Sequence, residues 1–149
     1  MLDSEYHLVV QVWIRNLKGE WLISKRAANK SQPLKWEPTG GSVLAGETSL
    51  QGALREVREE IGIVLNPADG VLFASYKRDK VSWENPGFLD VWVFEADFSM
   101  EEVQLQWEEA CDDKWVSEAE IRSMIDTDEF VPMKVHPYYN ELFAKWNRA

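Results

Sequence analysis

The stretch of the sequence best suited to chemistry is residues 41–63, GSVLAGETSLQGALREVREEIGI. Three of its acids, Glu56, Glu59 and Glu60, are spaced i, i+3 and i+4, so a helix would project all three from one face. Like charges at this spacing repel each other and would destabilise an isolated helix. A divalent cation such as Mg²⁺ or Mn²⁺ removes the repulsion, because carboxylate oxygens are the hard ligands that such ions prefer. The spacing therefore predicts a helix with a metal-binding face.

The opposite side of this helix is apolar and would dock on the protein core. Its apolar residues recur at helical spacing; they are Leu50, Ala53, Leu54, Val57 and Ile61. Thr48 or Ser49 can cap the first turn, where Glu47 lies near the positive end of the helix dipole. Gly62 is placed to end the helix just after its last turn. We therefore expect a helix with one side on the core and the other at a site.

The whole stretch resembles the signature of the Nudix hydrolases. That signature reads G, five residues, E, seven residues, then R-E-U-x-E-E-x-G-U, where U is a bulky aliphatic residue. A solvated acidic helix face is the ordinary alternative for a run of charges, but it does not explain a complete match. The nine defined positions are filled by Gly41, Glu47, Arg55, Glu56, Val57, Glu59, Glu60, Gly62 and Ile63.

The resemblance implies an activity. Members of this family typically cut the diphosphate linkage of a nucleoside diphosphate joined to another group, X. A metal ion would neutralise phosphate oxygens and lower the pKa of bound water. The candidates for X include nucleoside triphosphates, ADP-ribose, nucleotide sugars, dinucleotides and small isoprenoid diphosphates, and no residue pattern chooses among them.

The resemblance also implies roles for individual residues. By motif position, Glu56 and Glu60 would be ligands of Mg²⁺, with Mn²⁺ as a substitute, and Glu59 would be a ligand or the catalytic base. The main-chain carbonyl of Gly40 would be a further ligand. Arg55 would hold the glutamates in place, with Glu47 as its partner.

Further candidates lie outside the signature. Counting back six residues from Trp115 gives Glu109, where several relatives carry an important glutamate, so Glu109 is a candidate base. Glu108 and Asp112 are nearby substitutes, and a solvated acidic loop is the alternative reading. Arg26 is placed to face substrate phosphate, although it could equally be a surface residue at the end of a strand.

Aromatic residues are abundant, and most of them should be core. Tyr76, Trp83 and Phe88 are the better candidates for stacking a substrate base, because they flank the loop that follows the predicted helix. The two histidines, His7 and His136, are not clustered with any other candidate ligand.

The chain as a whole, residues 1–149, is expected to be a single domain. Its net charge of −10 argues against duplex nucleic acid as a partner, because phosphate binding needs a basic face. It has one cysteine, Cys111, and no apolar run of about 18 residues or signal-peptide pattern. We therefore expect a cytoplasmic enzyme with a small nucleotide or diphosphate substrate and no membrane partner. The Trp-rich strands could support a homodimer.

Alternation and turn residues predict the elements around the site. The acidic stretch 100–113 has no clean period and is predicted to be a loop. The order β-β-β-α-β-β-β-α-α indicates α/β, a mixed sheet covered by helices on both faces, and the resemblance implies the α/β/α sandwich of the Nudix fold. The predicted strands are 7–15, 21–26, 36–41, 71–77, 88–98 and 115–116, and the later helices are 117–125 and about 136–146.

Two rival functions remain open. Isopentenyl diphosphate isomerase has the same fold, and residues 7–30, the Glu109–Trp115 spacing and residues 127–143 resemble it. That isomerase needs a cysteine before the signature glycine and a histidine after it, where this chain has Gly40 and Ser42. The better description is an isomerase-like branch of the hydrolases. The second rival is a ligand sensor without catalysis, a class that usually loses the signature glutamates.

Overall fold

The computed structural model describes residues 7–30, 32–78, 87–106, 110–131 and 138–147. Within them, seven strands form one sheet, with three helices. The strands are β1 (His7–Arg15), β2 (Trp21–Arg26), β3 (Trp36–Glu37), β4 (Thr39–Ser42), β5 (Gly70–Arg78), β6 (Gly87–Glu95) and β7 (Ala110–Val116). The helices are α1 (Ser49–Ile61), α2 (Glu118–Asp126) and α3 (Tyr139–Trp146).

The sheet is mixed and is built around β1. Its order is β3-β2-β1-β6-β5, with β4 also pairing with β1 and β7 with β2. β1 and β6 run parallel in unbroken register, from His7 opposite Gly87 to Arg15 opposite Glu95. The other pairs are antiparallel. Consequently β1 is flanked by β6 on one side and by both β2 and β4 on the other.

Local capping chemistry sets the ends of α1. Thr48 accepts a hydrogen bond from the main-chain N–H of Gln51, whose side chain bonds back to the Thr48 N–H, a complete capping box. Gly62 ends the helix with φ of 75°, a left-handed conformation that glycine adopts without steric cost. The predicted helix is thereby confirmed. The N–H groups of Gln104 and Gln106 then bond to the carbonyls of Ile61 and Glu60.

Helices cover both faces of the sheet, as the sequence predicts. Alternation along β1 sends Val12 and Ile14 to one face and Trp13 to the other. On the first face the apolar side of α1 packs through Ala53, Val57 and Ile61. On the second face lie the side chains of α2 and α3, namely Ile121, Met124, Leu142 and Phe143. The α/β/α architecture follows.

Several predicted boundaries differ from the structure. The predicted strand 36–41 is two strands, β3 and β4, which pair with β2 and β1 respectively. The stretch 100–113 is not one loop, because Met100–Glu102 forms a 3₁₀ turn and β7 begins at Ala110. The acids of β7 lack a strand pattern, and pairing with β2 holds them in the sheet. β6 ends at Glu95 rather than at 98, and α3 begins at Tyr139. In the described ranges, no helix is both long and apolar enough to cross a membrane.

Candidate active site

Arg55 organises the acidic side of α1. Its Nε lies 2.7 Å from Glu47, and its Nη2 lies 2.8 Å from the main-chain oxygen of Ser42. Its Nη1 donates to Glu56 at 2.9 Å and to Glu59 at 3.1 Å. The guanidinium therefore ties the loop before α1 to two of the helix glutamates.

Glu47 is held as an anion by this network. The hydrogen bond from Arg55, followed by one from the N–H of Leu44, keeps the pKa of Glu47 below its usual range. The hydrogen bond to Glu47, and after it the one to Glu56, raises the pKa of Arg55. Both charges are thus fixed, and the loop that carries Glu47 is fastened to the helix.

Glu60 is in a different position, because it lies between α1 and the sheet and is only 6% exposed. Burial raises its pKa well above the usual value, and the carboxylates of Glu37, Asp113 and Glu56 raise it further. Lys30 acts in the opposite direction but is the weakest of these influences. The carboxyl group is therefore placed where a cation would stabilise its ionised form.

Asp113 is a buried acid that the sequence reasoning missed. It lies in β7 opposite Ser24 of β2, on the same side of the sheet as Leu22 and α1. Neither of its carboxylate oxygens has a hydrogen bond of good geometry within the described residues, although the Ser24 hydroxyl lies near enough to lower its pKa. Burial outweighs that contact and raises the pKa of Asp113 to about 7. No sequence signal marks this position, because its burial depends on the pairing of β7 with β2.

The glycine pair before α1 allows close approach of other groups. A Cβ atom at Gly41 would lie 2.3 Å from Oε2 of Glu56, and one at Gly40 would lie 2.2 Å from the carbonyl oxygen of Val10. Any larger residue at Gly41 would displace the Glu56 carboxylate. Gly41 therefore serves to bring Glu56 against β4.

A cleft of about 440 Å³ lies beside these groups. It brings together acids and bases from separate parts of the chain. Arg26 is paired with Glu37 by contacts of 2.9 and 3.0 Å from one guanidinium nitrogen. The residues that line the cleft are Val9, Val10, Gln11, Arg26, Lys30, Glu37, Pro38, Gly40, Gly41, Ser42, Leu44, Glu56 and Glu60.

The remaining candidates lie elsewhere. Tyr76 stacks on Tyr138 at 5.8 Å between ring centroids and packs against the core, so it does not line this cleft. Phe88 is 45% exposed on β6. Trp83 and Glu109 lie outside the described residues, and their roles stay predictions. The chain on either side of Glu109 is anchored near the site: the Gln106 N–H bonds to the Glu60 carbonyl, and Ala110 pairs with Arg26.

One protein family matches most of the chain. The model of the NUDIX domain matches residues 5–138. The chain belongs to the Nudix family. Its signature residues are thus the ones whose geometry is described above.

Individual Nudix proteins support the assignment. An uncharacterised Nudix hydrolase of Listeria monocytogenes is 38% identical over 146 residues, which cover 96% of this chain and 80% of that protein. The crystal structure of a MutT protein from Methanosarcina mazei Go1 superposes with a TM-score of 0.69 at 27% identity, covering 97% of this chain and 96% of the other. The chain is a Nudix hydrolase with the Nudix fold.

The isomerase resemblance is narrower. The isopentenyl-diphosphate Delta-isomerase of Escherichia coli is 30% identical over 71 residues, which cover only 46% of this chain and 39% of the isomerase. The likeness is therefore partial, and it does not define the branch of the family to which the chain belongs.

The oxygen-rich residues fit a divalent cation chemically. Carboxylates of Glu56, Glu59 and Glu60 are hard ligands, and the burial of Glu60 among other acids favours a positive charge beside it. Within the described ranges, no three Asp, Glu, His or Cys side chains converge at metal-binding distances. Nη1 of Arg55 bonds to Glu56 and Glu59 instead. A cation would thus compete with Arg55 for these two carboxylates.

Proposed function

We propose that this Nudix hydrolase is Mg²⁺-dependent and cleaves the diphosphate linkage of a nucleoside diphosphate joined to another group. The observation that carries the proposal is the cleft itself. One wall has Glu56 and the buried Glu60, and the cleft also contains Arg26 and Lys30. Carboxylates suit the cation, and cationic side chains suit the phosphate oxygens.

Gly40, Glu56, Glu59 and Glu60 would hold the metal. When bound, a divalent cation supplies charge neutralisation of the phosphates and acidifies water. Glu59 or Glu109 would accept a proton from the attacking water, whose oxygen would form a bond to one phosphorus of the linkage. The other phosphate would leave with the electron pair of the broken P–O bond. Arg55 would keep the glutamates oriented through its contacts with Glu47 and Ser42.

The substrate would enter with its phosphates toward Arg26 and Lys30. Arg26 contacts Glu37, which would hold its guanidinium at the wall of the cleft.

Roles for Tyr76, Trp83 and Phe88 in stacking a base stay predictions, as do the cytoplasmic location, the single-domain organisation and the homodimer. The net charge of −10 opposes a duplex nucleic acid as a partner.

The decisive experiment measures phosphate and pyrophosphate release from nucleoside triphosphates, ADP-ribose, nucleotide sugars and dinucleotides. Each substrate is tested with Mg²⁺, with Mn²⁺ and with a chelator, and isopentenyl diphosphate is followed for isomerised product. Cleavage that needs the metal and is confined to one compound class would support the proposal and identify X. Tight binding without cleavage would favour a sensor, and isomerised product would overturn the argument from Gly40.

Two variants test the residues. Glu56→Gln and Glu60→Gln should each lower kcat at least 1,000-fold, or about 4 kcal/mol, because a neutral amide is a poor ligand for Mg²⁺. Glu101→Gln is the matched control, since Glu101 is exposed in a 3₁₀ turn away from the cleft. Full activity of either glutamate variant would remove the metal assignment.

Glu109→Gln should slow turnover at least tenfold if Glu109 is the base.

A further inference from the structure

A chain of hydrogen bonds leads from the aromatic core to the cleft. The indole Nε1 of Trp13 lies 2.9 Å from the hydroxyl oxygen of Tyr138. The Tyr138 hydroxyl in turn donates to the side-chain oxygen of Gln11. Trp13 and Tyr138 are fully buried, whereas Gln11 lines the cleft.

The chemistry of the three groups determines the direction of this chain. An indole N–H can only donate, so the Tyr138 oxygen accepts from Trp13. The Gln11 atom that the Tyr138 hydroxyl contacts is the amide oxygen, which can only accept, so the hydroxyl hydrogen goes to Gln11. Burial raises the pKa of Tyr138 well above its usual value, so the phenol stays protonated and remains a donor. The side-chain oxygen of Gln11 therefore accepts the hydrogen bond from the buried Tyr138. The amide nitrogen of Gln11 takes no part in this bond.

The amide nitrogen of Gln11 is left for a ligand. Within the described ranges, no protein group accepts a hydrogen bond from it. Gln11 lies opposite Gly40 in the pairing of β1 with β4, and it shares the cleft with Glu56 and Glu60. The two N–H donors of its amide are on the sheet face of Trp13 and Tyr138, at a residue that lines the same cleft as the glutamates.

We propose that Gln11 is a substrate-recognition residue that donates a hydrogen bond to an oxygen acceptor of the nucleotide. Trp13 and Tyr138 are positioning residues, because they keep the amide from presenting its oxygen to the substrate instead. This proposal rests on the proposed function. The acceptor is either a keto oxygen of the base or an oxygen of the sugar or phosphates, and the two sources can be distinguished.

An amide in the wrong orientation would place an oxygen against an oxygen and leave both unpaired. Sites built to make a specific hydrogen bond reject the wrong partner strongly for this reason. The fixed orientation therefore converts a residue of ambiguous polarity into a donor.

The test compares wild type with Gln11→Leu, Gln11→Glu and Tyr138→Phe, using GTP, ATP, UTP and CTP. Hydrolysis is measured with Mg²⁺, and equilibrium binding is measured with chelator. We expect Gln11→Leu to raise KM and the binding Kd at least tenfold while kcat changes less than threefold. Gln11→Glu should weaken binding at least as much, because it removes both donors and adds a negative charge.

The positioning role of Tyr138 has its own readout. Tyr138→Phe leaves Gln11 intact but frees its amide, so KM should rise threefold to tenfold with kcat unchanged. Tyr139→Phe is the matched control, because its hydroxyl makes only a 3.5 Å contact with the Val131 carbonyl. Equal loss in both tyrosine variants would show a merely structural effect and would overturn the positioning role.

The outcomes separate the two proposals. Wild type that prefers GTP over ATP and UTP over CTP, with the preference abolished in Gln11→Leu, would identify a keto oxygen of the base as the acceptor. Equal losses of affinity for all four nucleotides would identify an oxygen of the sugar or phosphates. Binding that depends on Gln11 without any hydrolysis would support this inference and overturn the proposed function. Unchanged KM and Kd in a folded Gln11→Leu protein, or no nucleotide binding by wild type, would overturn the inference.

Discussion

The two faces of the sheet bury side chains of opposite character. On the face covered by α2 and α3, Trp13 contacts five aromatic rings, and its N–H is bonded to Tyr138. On the face covered by α1, the carboxyl groups of Glu60 and Asp113 are also buried, but both have raised pKa values. The aromatic face is held mainly by contacts between rings, whereas the α1 face contains acids whose pKa values are raised by burial.

This difference indicates that one face of the sheet mainly provides stability and the other mainly provides the candidate site. Buried aromatic rings contribute dispersion and apolar burial without any ligand. Buried carboxylates cost free energy unless a cation or a proton compensates them. We therefore expect the stability of the α1 face to depend on pH and, under the proposed function, on a bound cation, whereas the aromatic face supports it.

The largest stability effect should come from the aromatic face. Phe143→Ala should lower the free energy of unfolding by about 3–5 kcal/mol, because its ring is fully buried against Trp13, Trp21 and Tyr139. Urea unfolding measures the change. Leu17→Ala is the control and should change it by less than about 0.5 kcal/mol, since Leu17 is 87% exposed. A similar loss in both variants would contradict the contrast between core and surface.

The next largest effect on the free energy of unfolding should come from Asp113, and it should depend on pH. Its pKa rises from 3.8 in the unfolded chain to about 7 in the folded protein. The unfolded state therefore releases this proton first, so the contribution of Asp113 to stability is greatest below about pH 4 and is lost as pH rises through about 7. A shift of about three units limits the loss to about 4 kcal/mol.

Asp113→Asn isolates this contribution, because the amide cannot ionise. With chelator present, we expect the difference in unfolding free energy between Asp113→Asn and wild type to grow by about 2–4 kcal/mol from pH 4.5 to pH 8. Other groups titrate in both proteins and largely cancel in the difference, apart from Glu60, whose pKa is raised by the Asp113 carboxylate. A difference that is independent of pH would show that Asp113 is ionised throughout.

The smallest effect tests how the α1 face is assembled. Gly41→Ala should lower kcat at least tenfold, or about 1.4 kcal/mol, because its Cβ would displace the Glu56 carboxylate. Gly46→Ala provides the contrast: nothing lies within 4 Å of its Cβ position, but φ is +87°. That variant should lose stability through backbone strain and keep its kcat. Normal kcat in Gly41→Ala would separate Gly41 from the positioning of Glu56.

Local chemistry explains why α1 could be predicted closely. The capping box at Thr48, the left-handed Gly62 and the apolar stripe all act within a few residues, so the sequence contains the whole cause. The contact of Arg55 with Glu47 was likewise foreseeable from the family signature. Strands β1 and β2 were predicted with correct ends, because alternation and turn residues mark them.

Other features depend on partners far along the chain. β7 begins at Ala110 because it pairs with β2, and that pairing buries Asp113 opposite Ser24 although the local sequence is acidic. Tyr76 stacks on Tyr138, a residue of a different element, instead of lining the cleft. The orientation of Gln11 is set by Tyr138, 127 positions away.

The sequence by itself therefore determined the family, the helix and the acids on its face, because a motif and its caps are local. Only the tertiary structure decided which acid is buried, which arginine reaches the cleft and which way an amide points. Burial and hydrogen-bond direction depend on strand register and on contacts between distant elements. Those contacts place Glu60, Asp113 and Gln11 around the site.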